Sequence, residues 1–223
     1  MNLGFKVEFF DAILIGDATS CDKLKRYKKE FDISHIPPLE RRRLSSAARC
    51  AFHLTKNLGN IDMPVVFSSY GGEINRCFEL QNLLARDELI SPTSFSLSVH
   101  NAISSLLSIS MKNNHEISAV CAYATLEYAL LQAWLHIQNG YKNVLILGYH
   151  ESVNQSYFSQ DLPSFMVAMV VGRGENLKLK QISKQAASDK NLLMKFLLNF
   201  DLNAKSSWLS SDKNSTWLWD YEP

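Results

Sequence analysis

The sequence has almost no excess of charge of either sign, because 23 lysines and arginines face 22 aspartates and glutamates. Proteins that gather nucleic acid or anionic lipid usually carry a basic field, and a net charge of +1 provides none. The most basic run, DKLKRYKKE (Asp22 to Glu30), is typical of a solvated face and is kept only as a possible docking surface. We therefore expect neither a nucleic-acid partner nor insertion into a membrane.

A long uninterrupted hydrophobic run is also missing. The N-terminal stretch MNLGFKVEFFDAILIG is interrupted by Lys6, Glu8 and Asp11, and its apolar part is too short for a signal peptide or a membrane span. A cytoplasmic location is the resulting expectation.

Cysteine is sparse, with four residues that are widely spaced: Cys21, Cys50, Cys77 and Cys121. No C-x-x-C pair is present to hold zinc or to run thiol exchange, so we expect free thiols and no metal site. The glycines of SSYGG (68–72) lack the spacing and the lysine of a phosphate-binding loop. No cofactor is expected.

What the sequence contains is an alternation of short apolar runs and amphipathic segments. Strands are predicted near 9–16, 64–70, 116–121 and 143–148, and helices near 44–58, 71–90, 99–110 and 123–138. The segment from 116 to 148 has the length of a strand–helix–strand unit. This pattern predicts an α/β fold with a mixed, partly parallel central sheet flanked by helices, and 223 residues are enough for one domain over 1–223.

The C-terminal third contains further predicted strands. SFMVAMVVG is predicted to be a strand, GRGEN a turn, and LKLKQIS a strand that could lie at an edge of the sheet. The segment 200–223 carries three of the four tryptophans among polar residues and shows no clear period. Its aromatic content argues against disorder and makes it a candidate for packing onto a partner.

Cys121 is the residue that raises the question of catalysis. It follows a predicted strand and precedes a predicted helix, and a helix N-terminus activates a thiol while nearby backbone N–H groups stabilise an oxyanion. A small acyltransferase or thioesterase using Cys121 with His150 or His100 is therefore one hypothesis.

Three pieces of sequence in a fixed order carry a resemblance to a known family. They are FDISHIPPLERRRLSSAARCA, SPTSFSLSVHNAISSLLSI and VCAYATLEYALLQAWLHIQNGYKNVLILGYHES. Together they resemble the N-terminal half of the thiolase-type fold of the β-ketoacyl-ACP synthases, most clearly over residues 30–152. The resemblance implies a thiolase-like half-fold.

The register of this resemblance places Tyr123 where ketosynthases have their nucleophilic cysteine, because Ala129 and Ala133 match two alanines further along the same helix. Cys121 falls two residues too early. A phenol with a free pKa of about 10 is a poor acyl acceptor at neutral pH. The family's catalytic histidines come from a C-terminal half for which this chain has little room, and the remaining histidines His35, His53, His100 and His115 match no catalytic position.

The resemblance therefore implies a non-catalytic chain-length factor, most similar to the short factors of aryl-polyene-type biosynthesis. Such a subunit pairs with an active ketosynthase, shapes its acyl tunnel, and meets an acyl carrier protein that delivers the chain. The candidate tunnel and interface residues are Phe95, Leu97, His100, Asn101, Tyr123, Leu126, Glu127 and Leu130. Glu127 is expected to find a polar partner, because a carboxylate is unlikely to be buried unpaired in an apolar helix. A third hypothesis is a homodimeric thiolase-like binding module, which predicts a stable protein when the chain is expressed alone.

Overall fold

A computed structural model of the chain describes residues 1–16, 22–154, 156–157, 162–183 and 187–223. In these ranges seven strands form one mixed sheet: β1 (Asn2–Ile15), β2 (Val65–Ser69), β3 (Ile117–Val120), β4 (Asn143–His150), β5 (Ser164–Ile182), β6 (Ser206–Ser211) and β7 (Thr216–Tyr221). The strand order is β3-β2-β4-β5-β7-β6, and β1 pairs with the other edge of β5. The predicted α/β class and partly parallel sheet are confirmed.

The parallel part of the sheet consists of β2, β3 and β4. The central strand β2 pairs in parallel with β3 on one edge and with β4 on the other. Every residue of β2 and the segment 144–149 of β4 are buried, as expected for strands that helices cover on both faces. This is why both segments are nearly continuous apolar runs in the sequence.

The described part of the chain contains eight α-helices: α1 (Asp22–Lys25), α2 (Pro38–Arg41), α3 (Ser46–Thr55), α4 (Ile74–Ala85), α5 (Pro92–Ser96), α6 (Ala102–Ser110), α7 (Thr125–Gln138) and α8 (Leu192–Asn199). A 3-10 turn at Lys56–Leu58 follows α3. The Ser45 side chain caps α3 by accepting from the Ala48 N–H, and Pro92 begins α5 at a position where its missing N–H costs nothing.

The core lies in two layers, one on each face of the sheet. One layer contains the buried residues of α7 and α8 together with the C-terminal tryptophans. The other contains the buried residues of α3 and α6, such as Cys50 and Ile103. The result is a three-layer arrangement in which α7 lies against β2 and β4.

The GRGEN segment is not the predicted turn. Ser164–Ile182 forms a single strand, and its pairing partner in β1 jumps from Lys6 opposite Gly172 to Phe5 opposite Leu177. Residues 173–176 are therefore a bulge in a continuing strand. A Cβ atom on Gly174 would come within 2.6 Å of the Lys6 Cβ, so this glycine permits a close approach of two strands rather than a reversal. The LKLKQIS segment is not at an edge either, since it pairs with both β1 and β7.

The aromatic tail differs from the expectation that it packs onto a partner. Strands β6 and β7 form an antiparallel hairpin with Trp208 opposite Trp219, and these two rings stack with centroids 5.4 Å apart. Trp208, Trp217 and Trp219 are 7%, 1% and 0% exposed. The tail's tryptophans are thus part of the core of their own chain.

Three cysteines are free thiols in the structure: Cys50 is buried, Cys77 is half-buried and Cys121 is exposed, while Cys21 lies outside the described residues. Within the described ranges, no helix is both long enough and apolar enough to cross a bilayer. No group of three potential metal ligands occurs in the same part of the chain.

Candidate functional site

The carboxyl ends of three parallel strands meet at one edge of the sheet. Tyr70 follows β2, Cys121 follows β3, and His150 is the last residue of β4. In open α/β sheets, ligands bind in the crevice outside the carboxyl ends of the strands. The residues around these three strand ends are therefore the candidate functional site.

Two hollows open at this edge. The outer groove has a volume of about 650 Å³ and is lined by Cys121, Tyr128, Asp212 and neighbouring residues. The inner cavity has a volume of about 480 Å³ and is lined by Ile74, Tyr149, His150, Asn191 and neighbouring residues.

Two tyrosines form the wall between these hollows. Tyr70 and Tyr123 line both the outer groove and the inner cavity. Their rings meet edge to face, with centroids 5.7 Å apart and an interplanar angle of 84°. Because Cys121 lines the groove and His150 lines the cavity, this pair of rings stands between the thiol and that imidazole.

Cys121 is not at the start of a helix. It lies between Val120, the last residue of β3, and Ala124, the N-cap residue of α7. Its exposed Sγ donates a hydrogen bond of 3.2 Å to the Tyr70 carbonyl. The helix dipole acts over about the first turn of a helix. Because Cys121 lies outside α7, it is not at the helix N-terminus where the sequence placed it.

Tyr123 is tied to the loop that precedes α8. Its hydroxyl lies 2.9 Å from the Asp189 carbonyl and 2.8 Å from the Lys190 carbonyl, and donates its proton to this pair. Burial raises the pKa of Tyr123 above its usual value, and Asp189 adds to the shift. The side chain is therefore a neutral phenol at physiological pH.

The histidines that were candidates for a Cys121 partner bond elsewhere. His100 Nε2 donates to the Val120 carbonyl at 3.1 Å, and His150 Nδ1 lies 3.0 Å from the Asn191 side-chain nitrogen. Among the residues that the structure describes, no hydrogen bond joins Cys121 to a histidine. The base–nucleophile pair that a thiol-dependent acyltransferase requires is not assembled in this arrangement.

His150 is the most perturbed histidine of the site. Burial lowers its pKa to about 4, which keeps the imidazole neutral at physiological pH. The ring packs against Phe165 with centroids 5.3 Å apart. Sequence reasoning considered His150 only as a base for Cys121, and its pairing with Asn191 was missed because 41 residues separate them.

Two carboxylates near the inner cavity were also missed: the half-buried Glu151, which lines the cavity, and the buried Glu73. Glu151 accepts from the Asn75 N–H at 3.0 Å, and the Tyr149 hydroxyl donates to Glu151 at 3.3 Å. Burial raises the pKa of Glu151, and the neighbouring Glu73 raises it further. Glu73 itself forms an ion pair of 2.6 Å with Arg76. The only sequence signal was the position of Glu151 directly after a buried strand.

Glu127 has a partner inside its own chain. Its Oε1 accepts a hydrogen bond of 2.7 Å from Ser210 Oγ in β6, and Trp219 Nε1 donates to the same hydroxyl at 2.9 Å. Its Oε2 makes no hydrogen bond with the described part of the chain. Burial raises the pKa of Glu127 to about 7. The carboxyl therefore links α7 to the C-terminal hairpin.

The other predicted tunnel residues are not brought together. Leu126 and Leu130 are fully buried in the core beneath α7, whereas Phe95 on α5 is 61% exposed. Leu97 lines a separate surface groove of about 670 Å³ between α2, α5 and α6. Asn101 caps α6 through its backbone and is exposed. Of the predicted set, Tyr123 is the residue that lines both hollows of the site.

Comparisons with known proteins identify the family. A family profile described as "Beta-ketoacyl synthase, N-terminal domain" matches residues 18–220. A search of curated proteins found no match.

Solved structures share the fold. A chain from the ketosynthase ApeO in complex with its chain length factor ApeC, from Xenorhabdus doucetiae, aligns with a TM-score of 0.78 at 24% identity, covering 98% of this chain and 99% of that one. The ishigamide ketosynthase/chain length factor gives a TM-score of 0.54 at 12% identity, covering 69% of this chain and 53% of that one. A β-ketoacyl synthase from Burkholderia phymatum STM815 gives 0.52 at 10% identity, covering 79% and 58%.

The match of the family profile spans most of the sequence, and the mixed sheet with helices on both faces is the half-fold seen in these structures. The chain belongs to the β-ketoacyl synthase N-terminal domain family, with a thiolase-like half-fold.

Proposed function

We propose that this chain is a non-catalytic chain-length-factor subunit that pairs with an active β-ketoacyl synthase. The observation that carries the proposal is the state of Tyr123, which is a neutral phenol bonded to two backbone carbonyls. The resemblance to the family assigns this residue to the nucleophile position. The exposed Cys121 bonds to a carbonyl rather than to a histidine. A neutral phenol bonded to two carbonyls lacks the activated form that acyl transfer needs.

The helix register supports the placement of Tyr123. Ala129 and Ala133, the two residues that define the register, are fully buried on α7. Small residues at such positions let a helix lie close to the strand beneath it, and α7 lies against β2 and β4. A shift that moved Cys121 into the nucleophile position would displace both alanines from these matches.

The length of the matched ketosynthase–chain length factor chain is a second support. The alignment covers 98% of this chain and 99% of that one, so the two have nearly the same extent. The other two neighbours are chains of which only 53% and 58% are covered. An alignment over nearly the full extent of both chains supports a role within a complex of this kind.

We infer that the ketosynthase docks along β3. This strand pairs with β2 on one edge, and no strand occupies its other edge within the described ranges. Unpaired edge strands are templates for pairing with another chain. Ile117 on β3, and Tyr128 and Leu135 on α7, are 37%, 38% and 45% exposed, which gives the edge an apolar border.

In this complex the tyrosine wall would shape the acyl tunnel. An acyl chain entering from the outer groove meets the rings of Tyr70 and Tyr123 before it reaches the inner cavity. Rings of this size stop a chain by steric exclusion, because overpacking by a few methylenes costs roughly 1–3 kcal/mol. We propose Tyr123 as the principal tunnel residue. Phe95, Leu97, His100 and Asn101, which are exposed or half-buried, are proposed as secondary interface residues. Leu126, Glu127 and Leu130 would act only indirectly, because they are buried in the core of the chain.

The biosynthetic setting follows from the same role. The partner complex would receive its acyl chain from an acyl carrier protein in the cytoplasm and would make the polyene part of an aryl-polyene-type product. The chain itself would need no cofactor or metal for this function.

Co-purification tests the proposal. The tagged full chain is expressed in its host, purified gently, and its companions are identified by mass spectrometry. We expect a near-stoichiometric ketosynthase with an intact cysteine, and we expect the Cys121→Ser variant of the complex to elongate acyl carrier protein substrates at the rate of the unmodified complex. Recovery of the chain alone with an acyl group on Cys121 would establish an enzyme, and a stable homodimer without a ketosynthase would establish the binding module.

A further inference from the structure

Positive charge is concentrated where α2 ends and α3 begins. Four arginines lie within nine residues of sequence there: Arg41, Arg42, Arg43 and Arg49. None of them forms an ion pair with any other residue that the structure describes. The basic run at 22–30 differs, because three of its cations are paired with aspartates. The arginines of the α2–α3 connection are therefore the cations that lack a neutralising group in the described part of the chain.

Three of these arginines line one surface pocket, which we call the arginine pocket. It has a volume of about 410 Å³ and is lined by Phe31, Ile33, Pro38, Arg41, Arg42 and Arg49. No acidic residue is among these lining residues, and the pocket shares none of them with the outer groove or the inner cavity. Its volume is within the range of small-molecule sites.

Arg49 is held in place by the backbone around it. Its Nε donates to the Leu44 carbonyl at 3.2 Å, and its Nη2 donates to the Arg41 carbonyl at 3.3 Å. Arg41 and Arg49 are both half-buried, whereas Arg42 is exposed. A guanidinium that is already positioned loses less side-chain entropy when it binds an anion. The pocket is thus partly preorganised for a negatively charged ligand.

The charges next to the pocket are neutralised, which limits the size of the ligand. Asp32, between two of the apolar lining residues in sequence, forms an ion pair of 2.7 Å with Lys56. Lys29 is paired with Asp11 at 2.6 Å. A polyanion such as nucleic acid needs an extended basic surface, and the net charge of the chain is only +1. A small anion therefore fits this distribution of charge better than a polymer.

The guanidinium groups and the apolar walls define the chemistry of that anion. Arginine presents a planar fork of N–H donors that matches phosphate oxygens in pairs. A phosphate monoester carries close to two negative charges at neutral pH, while a carboxylate carries one. Three arginines therefore suit a phosphate better than a single carboxylate. The half-buried Phe31 and the buried Ile33 offer an apolar surface to an organic group attached to the phosphate.

We propose that the arginine pocket binds a small phosphate ester. The phosphate lies against the guanidinium groups of Arg41, Arg42 and Arg49, and the organic group packs on Phe31 and Ile33. Because Arg41 ends α2 and Arg49 belongs to α3, the bound phosphate joins the two helices. The site is independent of the proposed function, since it uses no residue of the outer groove or the inner cavity.

Calorimetric titration of the full chain, alone or with its co-purified partner, tests the site. Phenyl phosphate, benzoate and inorganic phosphate are titrated at low ionic strength in a buffer without phosphate. We expect phenyl phosphate to bind roughly tenfold tighter than benzoate, because it carries the larger charge and accepts paired hydrogen bonds. We expect it to bind roughly fivefold tighter than inorganic phosphate, because only the ester has an apolar group.

Substitutions of single arginines separate a defined site from a diffuse field. Arg42→Gln should weaken phenyl phosphate binding roughly tenfold, and the exposed position should tolerate the change. Arg42→Lys keeps the charge but loses the fork, so an intermediate loss is expected. Arg43→Gln is the matched control, because it removes the same charge from the next residue, which lines a different groove. It should change the affinity less than about twofold.

Thermal unfolding provides a second measurement. Saturating phenyl phosphate should raise the unfolding midpoint of the unmodified chain and of Arg43→Gln, and should raise that of Arg42→Gln much less. The midpoints without ligand show whether each variant is folded.

Several results would overturn the proposal. Benzoate binding as tightly as phenyl phosphate would mean a site for carboxylates, and equal losses for Arg42→Gln and Arg43→Gln would mean a diffuse charge effect. Saturable binding of poly-L-glutamate without binding of phenyl phosphate would mean a surface for an acidic protein. Absence of binding by every probe would leave a solvated cluster of arginines. None of these results affects the co-purification test, which does not involve the arginine pocket.

Discussion

Glu127 Oε1 and Ser210 Oγ lie 2.7 Å apart in a fully buried contact between α7 and β6. Trp219 Nε1 donates to the same hydroxyl, so Ser210 connects α7 to both strands of the C-terminal hairpin. A protonated carboxyl suits this site better than a carboxylate, because the second oxygen has no hydrogen bond with the described residues.

Glu127→Gln should stabilise the chain at high pH. Burial raises the pKa of Glu127 from 4.5 to about 7, so the folded state holds a proton that the unfolded state releases between these values. The stability that this proton supports is fully present below pH 4.5 and is lost as pH rises through 7. We expect the free energy of unfolding of the variant to exceed that of the unmodified chain by about 2–3 kcal/mol at pH 8 and by little at pH 4.5. Denaturant unfolding at both pH values measures the difference. Glu88→Gln, at an exposed position, is the control; a Glu127→Gln variant that loses stability at pH 8 would contradict the protonated carboxyl.

His150 should give the opposite pH dependence. Burial lowers the pKa of His150 from 6.5 to about 4. Between these two pH values the unfolded state binds a proton and the folded state does not. The contribution of His150 to the free energy of unfolding is fully present above pH 6.5 and is lost as pH falls through 4. Between pH 6.5 and 4.5, the free energy of unfolding of the His150→Gln variant should fall by about 2 kcal/mol less than that of the unmodified chain. Leu89→Gln, at an exposed position without a titratable group, is the control and should keep the original slope. A slope unchanged by His150→Gln would contradict the lowered pKa of His150.

The sequence was a good guide to the parallel part of the sheet. Its buried strands are continuous apolar runs, and the helix between β3 and β4 ends one residue before Asn139 and two before Gly140, whose φ of 101° suits a glycine. The pairing of β1 with β5 was not predictable in the same way. Only long-range contact between these strands reveals that Gly174 marks a close approach and not a turn.

The sequence of the C-terminal tail contains a period-two pattern that indicates a strand. Trp217, Trp219 and Tyr221 alternate at a period of two, as buried positions of a strand do. Asp212 Oδ1 then accepts from the N–H groups of Asn214 and Ser215, both at 2.7 Å, and closes the hairpin turn. The many serines obscured this pattern.

The site was predicted in part. Family register placed Tyr123 at the centre, and the structure puts this residue between the two hollows. The contact of His150 with Asn191 depends on how the loop before α8 returns to the end of β4. A single sequence carries no periodicity that reports such a contact.

Trp219→Ala should severely destabilise the chain. The side chain is fully buried, stacks on Trp208 and lies 5.0 Å from the Phe196 ring between centroids. Truncating a buried tryptophan leaves a large cavity and costs about 3–5 kcal/mol. Leu209→Ala on the exposed face of the same hairpin should cost less than about 0.5 kcal/mol. Thermal unfolding of both variants measures the difference, and similar midpoints would mean that the hairpin is not part of the cooperative core.

Tyr123→Ala should lengthen the product of the ketosynthase complex. The substitution removes one ring of the wall between the outer groove and the inner cavity, so the acyl chain gains access to about 480 Å³. Tyr123→Phe keeps the ring and loses only the bonds to the Asp189 and Lys190 carbonyls, which should cost about 1 kcal/mol of stability and leave product length unchanged. Mass spectrometry of the released products distinguishes the two variants. Products of equal length from Tyr123→Ala and the unmodified complex would place the end of the tunnel elsewhere.

Ile117→Lys should separate the chain from its ketosynthase without unfolding it. Ile117 lies on the edge strand β3 and is 37% exposed, so a lysine reaches solvent in the free chain. In the proposed complex the same lysine would lose contact with water beside the docked ketosynthase, and charged residues on edge strands are a natural means of blocking such pairing. We expect at least a tenfold loss of co-purified ketosynthase, which corresponds to about 1.4 kcal/mol of binding, with an unfolding midpoint close to that of the parent. Leu89→Lys is the matched control, because Leu89 is 99% exposed and lies away from β3. If Leu89→Lys released the ketosynthase and Ile117→Lys retained it, the interface would have to be moved from β3 to the α4–α5 surface.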